Sequence, residues 1–370
     1  MFSEVSSDKL KSEDHNLPMR HLKGLDLCLA LQVTRGRISQ AEASGSIPPL
    51  PRDAKSGKVL GLPLDQLTKY QQALGVRPGR LAAQPAATIA FGTTGLNSGA
   101  TTAALFTGAA FACRGMKVLL IDLDPSGALT TRLGFYKDYL TDPRNLLPHI
   151  KGQHTDHSIL SMVRPTPCPR LSFIPSSYSL RITYSSPLPR PPLLTQSLKP
   201  SFEHFTRALR TTKDKHDIVI IDAGPLDNLS AIAGSAIADA LVLPVNNAHY
   251  GADAIAAALT TFPLIRQLPK TFSFTTNNPG SGVSTIGQDR GTPPLHPDPK
   301  ISDLPVSIPC RPELHAYLAR VNRTPFDINT WDVSVPRREV IEMREDYQTL
   351  TDELFKNVVR AKWLGTNHPY

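Results

Sequence analysis

At 370 residues, 40% apolar and 19% charged, the chain is neither fibrous nor wholly disordered, and it has room for one large α/β domain with a smaller one beside it. The formal net charge of +8 favours a polyanionic partner, and it is concentrated: between Arg20 and Arg80 ten Lys/Arg stand against four Asp/Glu. Cys28, Cys113, Cys168 and Cys310 form no C-x-x-C pair and match no histidine spacing, which excludes a zinc ribbon or a disulfide framework.

Residues 1–19 are polar and mixed in charge, as expected for a flexible arm with no secretory h-region. From His21, HLKGLDLCLAL reads as a helix with Leu22, Leu25 and Leu29 on its inner face and Leu27 and Leu31 flanking. VTRGRISQAEASG supplies Thr34 as N-cap, Ile38 and Ala41 inward, Arg35, Arg37 and Gln40 outward, and Gly45 as a stop. IPPLPRDAKSGKVLGLP suits a short hairpin with Arg52, Lys55 and Lys58 at its tip, and LDQLTKYQQALG forms a further helix with Leu64, Leu67, Tyr70 and Leu74 inward.

Helix, turn, helix, basic hairpin, helix is the order of a winged helix-turn-helix, which predicts a DNA-binding unit over 20–80 followed by a linker at 81–87. Arg35, Arg37 and Gln40 are placed for the groove, and Arg52, Lys55 and Lys58 for phosphates. A small helical adaptor with a solvated basic face is the alternative. The stretch VTRGRISQAEASGSIPPLPRD also resembles the MerR-like module that precedes the ATPase domain of large plasmid partition and replication-control proteins.

From Thr88 the chain reads as a β-loop-α-β unit: an apolar run, a Gly/Ser/Asn/Thr loop, about fourteen helix-compatible residues, and the strand KVLLID. Such a unit seats an anion at a helix N-terminus, where backbone N–H groups lack intrahelical partners and the helix dipole favours negative charge. The loop contains no lysine. Between Pro165 and Pro200 nine prolines fall in 36 residues, which predicts an irregular insertion over 164–200 with room for one short strand, LSFIP. DIVIIDAGP and LVLPV are buried parallel strands with a small-residue helix between them, ADAIAAALTTFPLIRQL is a helix, 275–300 is a loop, and REDYQTLTDELFKNVVRAKWL closes the chain as an amphipathic helix. Alternating strands and helices predict a mostly parallel sheet with helices on both faces. No apolar stretch reaches the roughly 18 clean residues of a membrane span. A cytoplasmic protein without a membrane partner is expected.

Residues 88–135, 217–250 and 345–360 resemble the ParA/MinD group of deviant Walker A P-loop ATPases, most specifically in CRGMKVLLIDLDPSGALTTRLGF and the Walker B strand DIVIIDAGP. With the N-terminal unit in front, the chain looks most like the larger ParA proteins of plasmid partition. The resemblance implies a P-loop fold over 88–365, ATP and Mg²⁺ as ligands, a homodimer, DNA and a ParB-like protein as partners, and a nucleoid-associated location. The family's loop, K-G-G-x-G-K-T-T, falls on Gly95–Thr102. Gly99, Thr101 and Thr102 match it, and Gly95, Asn97, Ser98, Gly99, Ala100, Thr101 and Thr102 are the expected nucleotide contacts. Gly95 stands at the signature lysine, Ala100 at the Walker lysine, and Leu96 and Asn97 at the two glycines. Thr101 resembles the Mg²⁺-coordinating hydroxyl, Asp122 and Asp124 the acids that position water and metal, and Asp222 the Walker B carboxylate and second metal contact.

Phosphoryl transfer is catalysed by positioning and charge neutralisation, and losing one such transition-state contact costs ~2.7–4 kcal/mol. With both lysines absent, ATP hydrolysis is expected to be weak or lost, while Mg-nucleotide can still dock on backbone N–H groups. A live ATPase with a cation supplied from elsewhere, Lys117 or Lys213 for example, and a pseudo-ATPase remain open beside that reading. The alternative function is a non-enzymatic DNA-binding regulator with a relic ATPase-like domain. A metabolic enzyme would leave the N-terminal unit without a role. Arg311, Arg320, Arg323, Arg337, Arg338, Lys356, Arg360 and Lys362 offer a non-specific DNA surface, or simply a solvated face.

Overall fold

Strand and helix follow from where the apolar residues run without interruption. A computed structural model describes residues 19–93, 98–184, 194–226, 228–246, 270–277, 301–330 and 334–364. Of the expected arm only Met19 is described, and it bridges to Ile328. The helix expected over 252–268 and the loop beyond Asn277 lie outside the described residues.

The N-terminal unit opens with a two-stranded ribbon, β1 (His21–Leu22) paired antiparallel with β2 (Leu62–Pro63). Between them lie α1 (Gly24–Leu31) and α2 (Arg35–Ala43), and α3 (Leu67–Ala73) follows a single 3₁₀ turn. Thr34 caps α2 by accepting from Arg37 N, and Ile38 and Ala41 are its buried face. The inner face of α1 differs from expectation. Leu27, Ala30 and Leu31 are buried, whereas Leu25 and Leu29 are 73% and 45% exposed. Leu22 belongs to the ribbon, so it does not set the helical phase, and α3 packs on α1 from the other side, with Gln71 Nε2 donating to Ala30 O at 2.8 Å.

The sheet contains β3 (Ala87–Thr93), β4 (Val118–Asp122), β5 (Arg164–Pro165), β6 (Leu171–Ile174), β7 (Ile218–Pro225), β8 (Ala240–Asn246), β9 (Thr271–Asn277) and β10 (Ile301–Pro309), in the order β10-β9-β8-β3-β7-β4-β6-β5. All pairs are parallel except β5 with β6. Alternate residues of the central strands enter two cores. Ile89, Phe91, Leu120, Ile218 and Ile220 face one; Ala90, Leu119, Ile121, Val219 and Ile221 face the other. Burial on both faces is why these strands read as unbroken apolar runs.

Helix α4 (Ala100–Cys113) is wedged between β3, β4 and β7 and the long C-terminal helix α12 (Arg337–Leu354). Twelve of its fourteen residues are buried, which explains its small Ala/Gly composition and lack of amphipathic pattern. After β4 come α5 (Ala128–Arg132), α6 (Tyr136–Thr141) and α7 (Leu147–Ile150). Among its described residues, 164–184 and 194–200, the Pro-rich stretch holds more regular structure than its composition suggests. It holds β5, β6, α8 (Tyr178–Tyr184) and the first turns of α9 (Leu194–Lys213), with helix confined to segments between prolines except at Pro200. Then follow α10 (Leu229–Ala236), α11 (Pro312–Arg320), α12, one π-helical turn over Phe355–Val359 and α13 (Arg360–Leu364).

The N-terminal unit shares the larger core cluster with the sheet and α12. Polar contacts fasten it: Arg20 Nη1 donates to Phe326 O at 3.2 Å, His21 N to Asn329 Oδ1 at 3.0 Å, and Arg170 Nη2 to Gln71 Oε1 at 2.9 Å. Among the described residues no helix is long and apolar enough to cross a membrane.

Candidate phosphate-loop site

The C-terminal ends of β3, β4 and β7 meet the N-terminus of α4. Gly99 enters the helix at φ +88°, in the left-handed region that glycine tolerates, and Gly99 O accepts from Ala103 N at 2.8 Å to close the first turn. Two hydroxyls anchor the residue before it: Ser98 Oγ donates to Thr93 Oγ1 at 2.7 Å, and Thr276 Oγ1 donates to Ser98 O at 3.0 Å. Gly95, Leu96 and Asn97 lie outside the described residues. Ala100, aligned above with the Walker lysine, is the first residue of α4; it is 5% exposed and packs into the core.

Asp122 and Asp222 are cross-strand partners in the β4–β7 register, and both are fully buried. They are treated differently. Asp122 accepts from Thr130 N at 2.8 Å, Thr130 Oγ1 at 2.6 Å and Asp124 N at 3.0 Å, which ties α5 to the end of β4. Burial, Asp222 and Asp124 push its carboxyl well up against those donors. Asp222 has no hydrogen-bond partner at either carboxylate oxygen. The Thr101 hydroxyl and Gly224 N–H face it without completing a well-formed bond, and burial with the charge of Asp124 pushes it up to about 7.

Asp124 accepts from Ser126 N at 2.8 Å, and its carbonyl accepts from Ser176 Oγ at 2.8 Å. Gly224, at φ +67°, lets the β7 turn pass this close: a Cβ there would sit 2.7 Å from Asp124 Cγ. The structure thus brings together Ser98, Gly99, Ala100, Thr101, Thr102, Asp122, Asp124 and Asp222 at one sheet edge. Sequence reasoning missed Thr93, Thr276 and Ser176: the last two are distant in the chain, and all three are ordinary strand or loop residues by type.

An orphaned buried carboxylate beside a threonine hydroxyl fits a hard cation that takes oxygen ligands. Among the described residues no group of three His, Cys, Asp or Glu side chains is arranged to hold a metal alone. Mg²⁺ here would be held by Asp222 and Thr101, with phosphate oxygens and water completing its shell.

The two lysines considered as stand-ins are at the wrong end of the sheet. Lys117 precedes β4 and its N–H donates to Asp217 Oδ2 at 2.7 Å; five residues of strand, roughly 16 Å, separate it from Asp122. Lys213 ends α9, near Asp239 at the start of β8. Much of the expected C-terminal basic surface is already committed. Arg311 pairs with Asp346 at 2.7 Å, Arg338 with Glu342 at 2.6 Å, Lys362 with Asp239 at 2.7 Å, and buried Arg323 with Asp327 at 3.4 Å.

In the N-terminal unit Arg35, Arg37 and Gln40 are exposed on α2, and Arg52, Lys55 and Lys58 are exposed on the neighbouring loop. That loop is closed by the Arg52–Val59 bridge and by Asp53 N donating to Lys58 O at 2.8 Å. Arg52 also pairs with Glu42 of α2 at 3.1 Å, so the two basic elements are joined.

Comparison with known proteins agrees with this geometry. The family described as AAA domain matches residues 87–273, about half of the chain. A putative replication protein A of Sinorhizobium fredii is 28% identical over 205 residues, covering 53% of this chain and 50% of the relative. The sporulation initiation inhibitor protein Soj of Bacillus subtilis is 27% identical over 169 residues, covering 46% of this chain and 62% of the relative. The chain thus spans about half to three fifths of these relatives' lengths. Among solved structures, the ATP complex of a Cyanothece McdA variant superposes with a TM-score of 0.53 at 18% identity, covering 78% of this chain and all of that one, which is a likeness of fold. The matched stretch holds β3, the glycine-entered α4 and both acid-bearing strands, and by it the chain belongs to the AAA domain family, as a P-loop ATPase of the ParA/MinD type.

Proposed function

We propose that the protein is a ParA-like partition protein: a DNA-binding dimer whose α/β domain is a nucleotide switch with a degenerate phosphate loop. The observation that carries this is the unpartnered, buried Asp222 beside Thr101 at the N-terminus of α4. A relic fold would gain by satisfying or neutralising such a carboxylate, because a buried polar group without a partner costs roughly 1–3 kcal/mol. Its retention supports a site that still meets Mg²⁺ and phosphate. Gly99 and the first-turn N–H groups of α4 receive the phosphates, Thr101 and Asp222 hold Mg²⁺, and Asp124 faces the same edge.

When bound, Mg-ATP supplies a polyphosphate chain whose γ-phosphate distinguishes two states of the switch. With Ala100 in place of a lysine, little stabilises charge developing in the transition state, so turnover is marginal. Arg35, Arg37 and Gln40 contact the major groove, and Arg52, Lys55 and Lys58 contact phosphates. The further partners are a second copy of the chain and a ParB-like protein, on the nucleoid.

Titration of Mg-ATP and Mg-ADP into the wild type and Ala100→Lys tests this reading. The wild type is expected to bind both nucleotides with turnover near background, and the variant to bind more tightly. Robust Asp124-dependent hydrolysis by the wild type overturns the degenerate-loop assignment. Absence of wild-type binding, with gain in the variant, supports instead a non-enzymatic DNA-binding regulator carrying a relic domain.

A further inference from the structure

One cation does stand beside the loop. Arg132 ends α5, directly downstream of Asp122 and Asp124, and its Nη1 donates to Thr102 Oγ1 at 3.1 Å. Thr102 is the third residue of α4, so this contact lies in the turn whose N–H groups have no intrahelical acceptor. The guanidinium lies over the Phe106 ring, with Cζ 5.0 Å from its centroid, and Tyr347 meets the same ring edge-on at 5.1 Å.

Its Nε and Nη2 are closed off from solvent and have no hydrogen-bond partner. Among the described residues no carboxylate pairs with it. A half-buried guanidinium with two enclosed, unmet donors and no carboxylate partner is a costly group to keep, and arginine does not escape by losing its proton. His315, stacked on the other side of Phe106 at 6.0 Å, is pushed down to about 4 by burial and the nearby arginines, so it is neutral near pH 7. Arg311, the other arginine near His315, is neutralised by Asp346 and Glu342. The uncompensated positive charge in this corner is therefore that of Arg132.

We propose that Arg132 is the cationic contact for a phosphate group seated at the N-terminus of α4, taking over from the lysine that Ala100 replaces. The inference rests on the nucleotide-switch reading and deepens it: the ligand is the polyphosphate of a nucleoside di- or triphosphate, and the half-buried guanidinium, anchored through Nη1 to Thr102, offers it a positive charge at the first turn of α4. Held by Thr102 and Phe106, the fork is oriented before the ligand arrives. A purely structural role, clamping α5 on α4, would need only the Thr102 and Phe106 contacts and would leave nucleotide affinity unchanged.

The test is calorimetric titration of full-length wild type, Arg132→Met and Arg132→Lys with Mg-ATP and with Mg-ADP, beside thermal melts without ligand. Arg132→Met is expected to bind both nucleotides about ten- to a hundredfold more weakly, with an unliganded melting temperature no lower than that of the wild type. Arg132→Lys should recover part of the loss. Binding by Arg132→Met within twofold of wild type overturns the assignment and leaves the switch reading standing. A wild type that binds neither nucleotide overturns both. Should Arg132→Met fail to fold, the wild type serves: the Nε–H resonance of Arg132, assigned by its disappearance in Arg132→Lys, must shift on adding Mg-ADP, and an unmoved resonance in a nucleotide-saturated sample overturns the proposal.

Discussion

The two edges of the sheet carry acids of opposite standing. At the N-terminal edge Asp217 accepts from Lys117 N at 2.7 Å and Arg80 N at 3.1 Å, and Asp239 accepts from Thr88 N at 2.8 Å and pairs with Lys362 at 2.7 Å. Every one of these contacts joins a strand to its neighbour or to a flanking segment. At the C-terminal edge Asp122 is similarly spent on Thr130 and Asp124 N, yet its register partner Asp222 has no bond, and the nearby Arg132 keeps two unmet donors. Acids of one type, in one sheet, are thus divided between those spent on holding the fold and one left without a hydrogen-bond partner. Family resemblance grouped Asp122 with Asp124, as acids that position water and metal, and set Asp222 apart as the Walker B carboxylate.

The largest test of that division is pH. Asp222 is raised from an ordinary 3.8 to about 7, so the native carboxyl holds its proton more tightly than the unfolded one. Its contribution to stability is complete below about pH 4 and is lost as pH rises through 7; a rise of that size corresponds to ~4 kcal/mol. Denaturant unfolding of the wild type should show stability falling across that window, and Asp222→Asn should flatten this part of the profile. An unchanged slope in Asp222→Asn would mean that the carboxylate is satisfied in solution. Next in size, Asp122→Ala leaves Thr130 N, Thr130 Oγ1 and Asp124 N without their acceptor. It should cost about 3 kcal/mol in the same assay at pH 8, where Asp222→Asn costs nothing or stabilises. Equal losses in both variants would erase the distinction between them.

What the sequence made legible were features written in consecutive residues. The runs at β4, β7 and β8, the Thr34 cap, the inner face of α2 and the glycine entry to α4 all depend on neighbours within a turn or a strand. What it hid depends on distant partners. Leu22 is taken out of α1 by pairing with Leu62, forty residues on, and the phase of the helix is set by α3 packing, so Leu25 and Leu29 were misplaced. Strand β10 carries Asp303, Pro305 and Pro309; only an edge strand tolerates these, and β10 is at the edge, with a register shift between Asp303 and Ser307. In β9 Phe272 and Phe274 alternate with Thr and Ser, so there was no unbroken apolar run to notice. The acids of the site could be aligned, whereas the unmet state of Asp222 and the approach of Arg132 to Thr102 exist only after folding.

The exposed basic cluster is a further test, with the smallest expected effect per residue. Unlike the arginines of α11 and α12, Arg35, Arg37, Lys55 and Lys58 stand on elements whose burial is satisfied by other residues, so replacing them should barely move stability. If Lys55 and Lys58 meet DNA phosphates, each substitution to Ala in the full chain lowers the slope of log affinity against log salt by about 1, whereas Arg35→Ala or Arg37→Ala in the groove costs about 1–3 kcal/mol of affinity. Arg52 is a control within the same cluster: its pairing with Glu42 is exposed and worth ~0.2–1 kcal/mol, so Glu42→Gln should free it, weaken the hairpin slightly and raise duplex affinity. Duplex binding measured from about 50 to 300 mM salt decides the matter. A slope and an affinity unaffected by all four substitutions would move the DNA contact to another face and leave the cluster as solvated surface, the reading that composition alone already allowed.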